Sequence, residues 1–261
     1  MAKATLEVCE RGDYVKPNGE CVSIAAALEA ARAGTEPHEL GTALRPLPAT
    51  KQTAISVTHE STIEAIVRLA PTGAHVACLN FASAKNPGGG FLGGAQAQEE
   101  SLARSSGLYP CLLTQRGHYE RNRDGSTPIY FDTAIWSPHV PFFRDDDGSW
   151  LVAPVLASVI TCAAPNASAL RQQQRFDAAV VEAALRKRAA FVLAIAAHRG
   201  VERLILGAWG AGVFGNDPAM VADAFGKLLE GDYKNVFVEV VFAVMGGPGG
   251  NNFDAFATRF T

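Results

Sequence analysis

The sequence has no excess of basic residues, no long apolar run and no cysteine pattern. Its 23 Lys and Arg stand against 26 Asp and Glu, a net charge of −3. That balance supplies no broad positive field for a nucleic-acid backbone, so any polyanionic partner has to be held locally. No stretch approaches 18 uninterrupted apolar residues, and no spanning helix is expected. The five cysteines, Cys9, Cys21, Cys78, Cys111 and Cys162, include no C-x-x-C pair, which points away from a disulfide framework and from a zinc site. The first ten residues lack the apolar core of a secretory signal, and the expected location is the cytoplasm. Also missing are a Walker lysine after glycines, a G-x-S-x-G elbow and an H-E-x-x-H pair. The six histidines never reach metal-ligand spacing, and no metal or cofactor is expected.

What remains is an ordinary globular composition, 48% hydrophobic and 19% charged over 261 residues, enough to bury a full core. Residues 21–32 read as an Ala-rich helix, stopped by Gly34 and then by Pro37, Pro46 and Pro48. Residues 1–50 are therefore expected to be an N-terminal helical extension and linker, with a single compact catalytic unit over 51–261. Within that unit, 53–58 reads as a strand, Ser61/Thr62 as a helix start and 74–80 as a buried strand, the order of a β-α-β crossover. Further strands are expected at 129–136, 140–144 and 151–162. A long helix follows at 172–198, then a strand from Arg203, a helix from Pro218 to Leu229 and a strand over 236–244. The sum is an α/β fold, a mixed central sheet flanked by helices.

Glycine is unusual in its placement. Of its 25 residues, 13 fall in three clusters at 88–94, 207–215 and 246–250, each after an apolar run. Ligands in such sheets sit at strand ends, and backbone N–H groups freed of Cβ atoms approach an anion closely. Taken alone, a glycine run also describes a mobile surface loop. The first cluster, however, leads straight into Gln98-Glu99-Glu100 at a helix start. Adjacent helical residues point about 100° apart, so both carboxylates reach one ligand only if it lies across the helix N-terminus. A carboxyl kept protonated there by desolvation serves as a general acid on a glycosidic oxygen. The second cluster is a loose G-x-x-G-x-G carrying Trp209 and Phe214, side chains that either face a ligand or plug the core. The third reads as a loop at the sheet's ligand edge or as a flexible tail, and the tail is expected.

Gly88-Gly89-Gly90, seven residues and then Gln98-Glu99-Glu100 resemble the GGG-x(6–8)-QEE signature of poly(ADP-ribose) glycohydrolases. Asn86-Pro87 before the glycines and the loop from Gly207 to Asn216 are similar to the shorter bacterial-type members built on a macrodomain, over about residues 50–250. The resemblance implies a macrodomain-like three-layer fold and hydrolysis of ribose–ribose bonds in poly(ADP-ribose), reversing ADP-ribosylation, including in a DNA damage response. By the same resemblance Glu100 is the catalytic acid, while Glu99 and Asn86 bind terminal-ribose hydroxyls. Gly88, Gly89, Gly90 and Gln98 line the ligand, and Gly210, Ala211, Gly212, Val213 and Phe214 wrap its diphosphate and pack against it. Implied partners are poly(ADP-ribose) or ADP-ribose and ADP-ribosylated proteins, without nucleic acid or membrane, for a monomeric protein. An ADP-ribose-binding macrodomain and a mono-ADP-ribosyl hydrolase stay open as alternatives. A dinucleotide-dependent oxidoreductase does not fit, because the glycines follow the second strand instead of opening the unit.

Overall fold

A computed structural model describes residues 1–41 and 52–260. Five strands run parallel: β4 (Ala54–Thr58), β5 (Val76–Phe81), β7 (Trp150–Cys162), β8 (Arg203–Leu206) and β9 (Glu239–Ala243). They join β3 (Glu36–Glu39) and β6 (Thr133–Arg144) in a seven-stranded sheet of order β3-β6-β7-β5-β8-β9-β4. The antiparallel pairings β3–β6 and β6–β7 make the sheet mixed. Alternate side chains divide between two cores, as the period-two geometry of a strand requires. Leu79, Leu204, Leu206, Val240 and Phe242 face one, while Cys78, Ile205 and Val241 face the other. Inner strands buried on both faces read as continuous apolar runs, and these do.

Helices cover both faces. α8 (Ala178–His198), α9 (Pro218–Glu230) and α10 (Asn251–Phe260) supply Leu185, Phe225 and Phe256 to the first core. α2 (Ala25–Ala33), α3 (Thr62–Leu69), α4 (Gln98–Ser105) and α5 (Leu108–Leu112) supply Leu28, Ile66, Leu102 and Leu108 to the second. The helix α1 (Ala2–Arg11), a hairpin of β1 (Asp13–Val15) with β2 (Cys21–Ser23), and the helices α6 (Arg116–Asp124) and α7 (Ala167–Gln172) complete the chain. α3 begins where its sequence signals a cap. Ser61 Oγ accepts from the Glu64 amide at 3.0 Å, and the Glu64 carboxylate accepts from the Ser61 amide at 2.7 Å.

Four expectations need correction. Residues 1–41 are not an appendage: β3 is an edge strand of the central sheet, and Val8, Tyr14, Ile24 and Leu28 lie in the second core. The expected boundary at residue 50 falls outside the described residues. The strands expected at 129–136 and 140–144 are one strand, β6, interrupted by a bulge between Ser137 and Val140 where His139 adopts φ 44°. The long helix starts at Ala178 instead of 172, because Asp177 Oδ1 accepts from the amides of Ala179 (2.9 Å) and Val180 (3.2 Å) and fixes a new N-terminus. The third glycine cluster is a turn, not a tail, and it leads into α10, whose Phe256 and Phe260 pack on Phe242 of β9.

Candidate active site

The parallel strands β5, β7, β8 and β9 end on one edge, and there a cavity of about 650 Å³ opens. Its walls come from the end of β5 and the residues after it (Phe81–Ser83), the start of α4 and the loop after β8. Ser61 and Thr62 at the start of α3, together with Met245 and Asn252 after β9, close the rest. Ligands collect at such an edge because loops there are free of the sheet's hydrogen-bond ladder.

Glu99 and Glu100 stand side by side in the wall, 3% and 8% exposed, which is rare for carboxylates without partners. Each is gripped by donors from a different part of the chain. Glu99 Oε1 accepts from Asn80 Nδ2 at 3.3 Å, and its Oε2 from the Ser83 amide at 2.6 Å. Glu100 Oε1 accepts from the Gly90 amide at 2.8 Å, and its Oε2 from the Ala97 amide at 3.1 Å. Burial pushes the Glu99 carboxyl up from its ordinary 4.5 to about 8 despite those donors, and the charge of Glu100 adds to the rise. At neutral pH Glu99 therefore keeps a proton.

Gly89 explains why the run must be glycine. Its φ is 59°, and a Cβ there would run into Glu100 Oε1 and stand 3.0 Å from Glu99 Oε2. Both carboxyls thus border the same glycine, which brings them together although they point along different directions from the helix. Gly88 is buried behind them, and Gly89 donates to the Asn86 carbonyl at 3.0 Å.

Gln98 behaves differently from the expected ligand contact. Its Oε1 accepts from the Phe81 amide at 2.8 Å, and its Nε2 donates to the Leu79 carbonyl at 2.8 Å and to Thr62 Oγ1 at 3.1 Å. The side chain borders the cavity but spends its polar atoms extending the β5 ladder, so it clamps α4 to the sheet. Asn86 lies exposed at the outer bend of the glycine loop and is not among the residues lining the cavity, nor are Gly88, Gly89, Gly90 and Ala211.

In the second loop Gly210, Gly212, Val213 and Phe214 do line the cavity. Among the described residues, the amides of Gly212, Val213 and Phe214 donate no hydrogen bond within the protein, which leaves three successive donors for an anion. Of the two aromatic residues, Trp209 plugs the core and donates from Nε1 to the Cys162 carbonyl at 2.9 Å. Phe214 stays half-buried at the cavity, its ring 6.1 Å from that of Tyr130. Asn216, given no role in the sequence, closes the loop, with Nδ2 donating to the carbonyls of Pro165 (2.9 Å) and Gly210 (3.0 Å). Asn80 and Ser83 were missed too. A buried asparagine ending an apolar strand was the available signal for the first.

Among the described residues no group of three His, Cys, Asp or Glu is placed to hold a metal ion. Among the described residues, no helix is long and apolar enough to cross a membrane.

Residues 2–145 match the model of the microbial-type PARG catalytic domain. No curated protein matches the chain. Among solved structures, poly(ADP-ribose) glycohydrolase from Thermomonospora curvata is 46% identical with a TM-score of 0.94, over 99% of this chain and 97% of that one. Its complex with the inhibitor ADP-HPD superposes at a TM-score of 0.92, with the same identity and coverage. Poly(ADP-ribose) glycohydrolase from Deinococcus radiodurans in complex with ADP-ribose is 44% identical with a TM-score of 0.83, over 89% of this chain and 96% of that one. Likeness of this extent in sequence and fold, from one end of the chain to the other, makes this protein a member of the microbial-type poly(ADP-ribose) glycohydrolase family.

Proposed function

We propose that the protein hydrolyses ribose–ribose O-glycosidic bonds of poly(ADP-ribose) and releases ADP-ribose, with Glu100 as the general acid. The observation that carries this reading is the buried Glu99–Glu100 pair, which shares one cavity with three unspent backbone amides. The amides of Gly212, Val213 and Phe214 take the diphosphate, and the ring of Phe214 packs against the ligand. The ADP-ribose and ADP-HPD complexes of the family members support a ligand of this shape.

Glu99 retains a proton at neutral pH because burial penalises its charged form. In the proposed reaction that proton reaches the leaving oxygen by way of Glu100, whose carboxyl borders the same glycine. In the reaction, the bond between the anomeric carbon and the leaving ribose oxygen breaks. Its electron pair goes to the oxygen, which takes the proton from Glu100. The oxocarbenium-like carbon that results lies close to the ligand's own diphosphate, and negative charge held there by backbone N–H groups stabilises it. Water then attacks the anomeric carbon and surrenders a proton to the Glu100 carboxylate, restoring the acid. Glu99 holds ribose hydroxyls while Asn80 and Ser83 hold Glu99.

Replacing Glu100 with glutamine keeps the shape and removes the acid. Release of ADP-ribose from the polymer is expected to fall by roughly 10²–10⁴-fold while ADP-ribose binding, read by calorimetry, is retained. Full polymer degradation by Glu100→Gln would sink the assignment. A protein that only binds ADP-ribose needs no acid, and the wild-type chain would then release no product.

A further inference from the structure

Near the two glycine loops, four of the cations that form no salt bridge with a carboxylate among the described residues are Lys85, Arg123, Arg171 and Arg175. Lys85 sits on the first glycine loop, Arg123 near the end of α6, Arg171 on α7 and Arg175 just beyond it, and all four are exposed. Three hydrogen bonds to carbonyls join them into one strip. Arg123 Nε donates to the Lys85 carbonyl at 2.9 Å, Arg175 Nη1 to that of Ser126 at 3.2 Å and Arg171 Nη1 to that of Gly215 at 3.0 Å. The strip therefore starts beside Ser83, which lines the cavity, and ends beside Phe214, which also lines it. Arg171 is further steadied by the Phe176 ring, 4.2 Å from its guanidinium carbon.

The neighbouring acids do not neutralise the strip. Asp124 and Asp177 are the exposed carboxylates adjoining it in sequence, and Asp177 caps α8. Arg121, also on α6, is excluded because it pairs with Glu39. Each carbonyl contact uses one donor of its guanidinium and leaves the full charge and the remaining N–H groups toward solvent. In a chain of net charge −3, this is a local concentration of positive charge without carboxylate partners, running from the first glycine loop to the second.

We propose that this strip binds the diphosphates of poly(ADP-ribose) beyond the terminal unit, and so favours long polymer over short fragments. The proposal rests on the glycohydrolase reading. The terminal diphosphate belongs inside the cavity, at the second loop. The polymer has further phosphates, two per unit, and a chain whose end is seated between the two loops must leave over the rim that carries these cations. Backbone amides recognise the end, and mobile-ion-displacing side chains hold what trails behind it.

The test uses the full-length protein and two substrates. One is long poly(ADP-ribose); the other is ADP-ribose linked to the ribose of a single adenosine, which has the scissile bond but no phosphate beyond it. The double variant Lys85→Gln/Arg175→Gln removes two charges, keeps the Lys85 backbone carbonyl that accepts from Arg123, and leaves a donor at 175 for the Ser126 carbonyl. For wild type, log kcat/KM against log salt is expected to be steep on polymer and shallow on the fragment. In the double variant the polymer slope is expected to fall by about 1.4, roughly 0.7 for each cation lost, with about a tenfold loss of kcat/KM at low salt. Cleavage of the fragment stays unchanged.

An unchanged polymer slope overturns the proposal, and so does an equal loss on both substrates. If the charge swap weakens a single-stranded oligonucleotide in a binding assay but leaves polymer cleavage alone, the strip belongs to nucleic acid and the proposal fails. Wild-type protein that cleaves neither substrate sinks the glycohydrolase reading itself, and a protein that cuts the fragment but shows no slope change loses only the strip.

Discussion

Two adjacent glutamates carry the chemistry, and their surroundings make them unequal. Glu99 is enclosed by Asn80, Ser83 and the glycine run, and burial raises its carboxyl to about 8. The unfolded value is the ordinary 4.5, so the folded protein holds a proton that the unfolded chain releases between those two pH values. The unfolded state then binds fewer protons, and stability falls as pH rises from about 4.5 toward about 8. Glu99→Gln has no proton to lose. Its melting temperature is expected to match wild type near pH 4.5 and to exceed it by a widening margin up to pH 8, read by thermal melts across that range. A constant difference would show that burial does not perturb this carboxyl. The motif of three glycines and two acids was legible before folding, but which acid carries the raised pKa was not. That depends on solvent exclusion by Asn80, Ser83 and the β5 strand, 16 to 19 residues away along the chain.

At the scale of elements, the site is a helix start held against a sheet. Gln98 joins α4 to β5 by bonding the Phe81 amide and the Leu79 carbonyl, and it reaches α3 through Thr62. Leucine at this position fits the volume but leaves the two backbone groups of β5 without partners. Gln98→Leu is expected to destabilise by roughly 2–4 kcal/mol, measured by urea denaturation, and to lower activity by displacing both glutamates. The sequence pattern marked Gln98 as a ligand contact because it stands in the motif. Its structural task is invisible there, since hydrogen bonds to a neighbouring strand are set by packing. Helix starts with local signals were legible, as Ser61 and Glu64 show. Elements whose limits depend on distant partners were not, among them the β6 bulge at His139 and the helix formed by the last residues.

For the whole molecule, the first 41 residues belong to the sheet. β3 pairs along Glu36 to Glu39 with β6, and Val8, Tyr14, Ile24, Leu28 and Ala31 fill the core beneath α4 and α5. A chain lacking residues 1–41 would expose those core partners and an unpaired edge of β6. It is expected to lose cooperative unfolding, seen as a broad or absent thermal transition by circular dichroism. A sharp transition close to wild type would mean that the segment is dispensable. Net charge, by contrast, is a property of composition alone, and it misled only by averaging: −3 overall conceals four cations without carboxylate partners between the two glycine loops. The order of strand, helix, strand and glycine loop, the pairing of glycines with two acids, and the absence of a metal-ligand pattern follow from residue types at short spacing, so the sequence by itself determined the fold class and the chemistry on offer. Tertiary structure alone decided which glutamate keeps its proton, which glutamine is a clamp and which N-terminal residues are core, because each of these depends on the exclusion of water by segments distant in the chain.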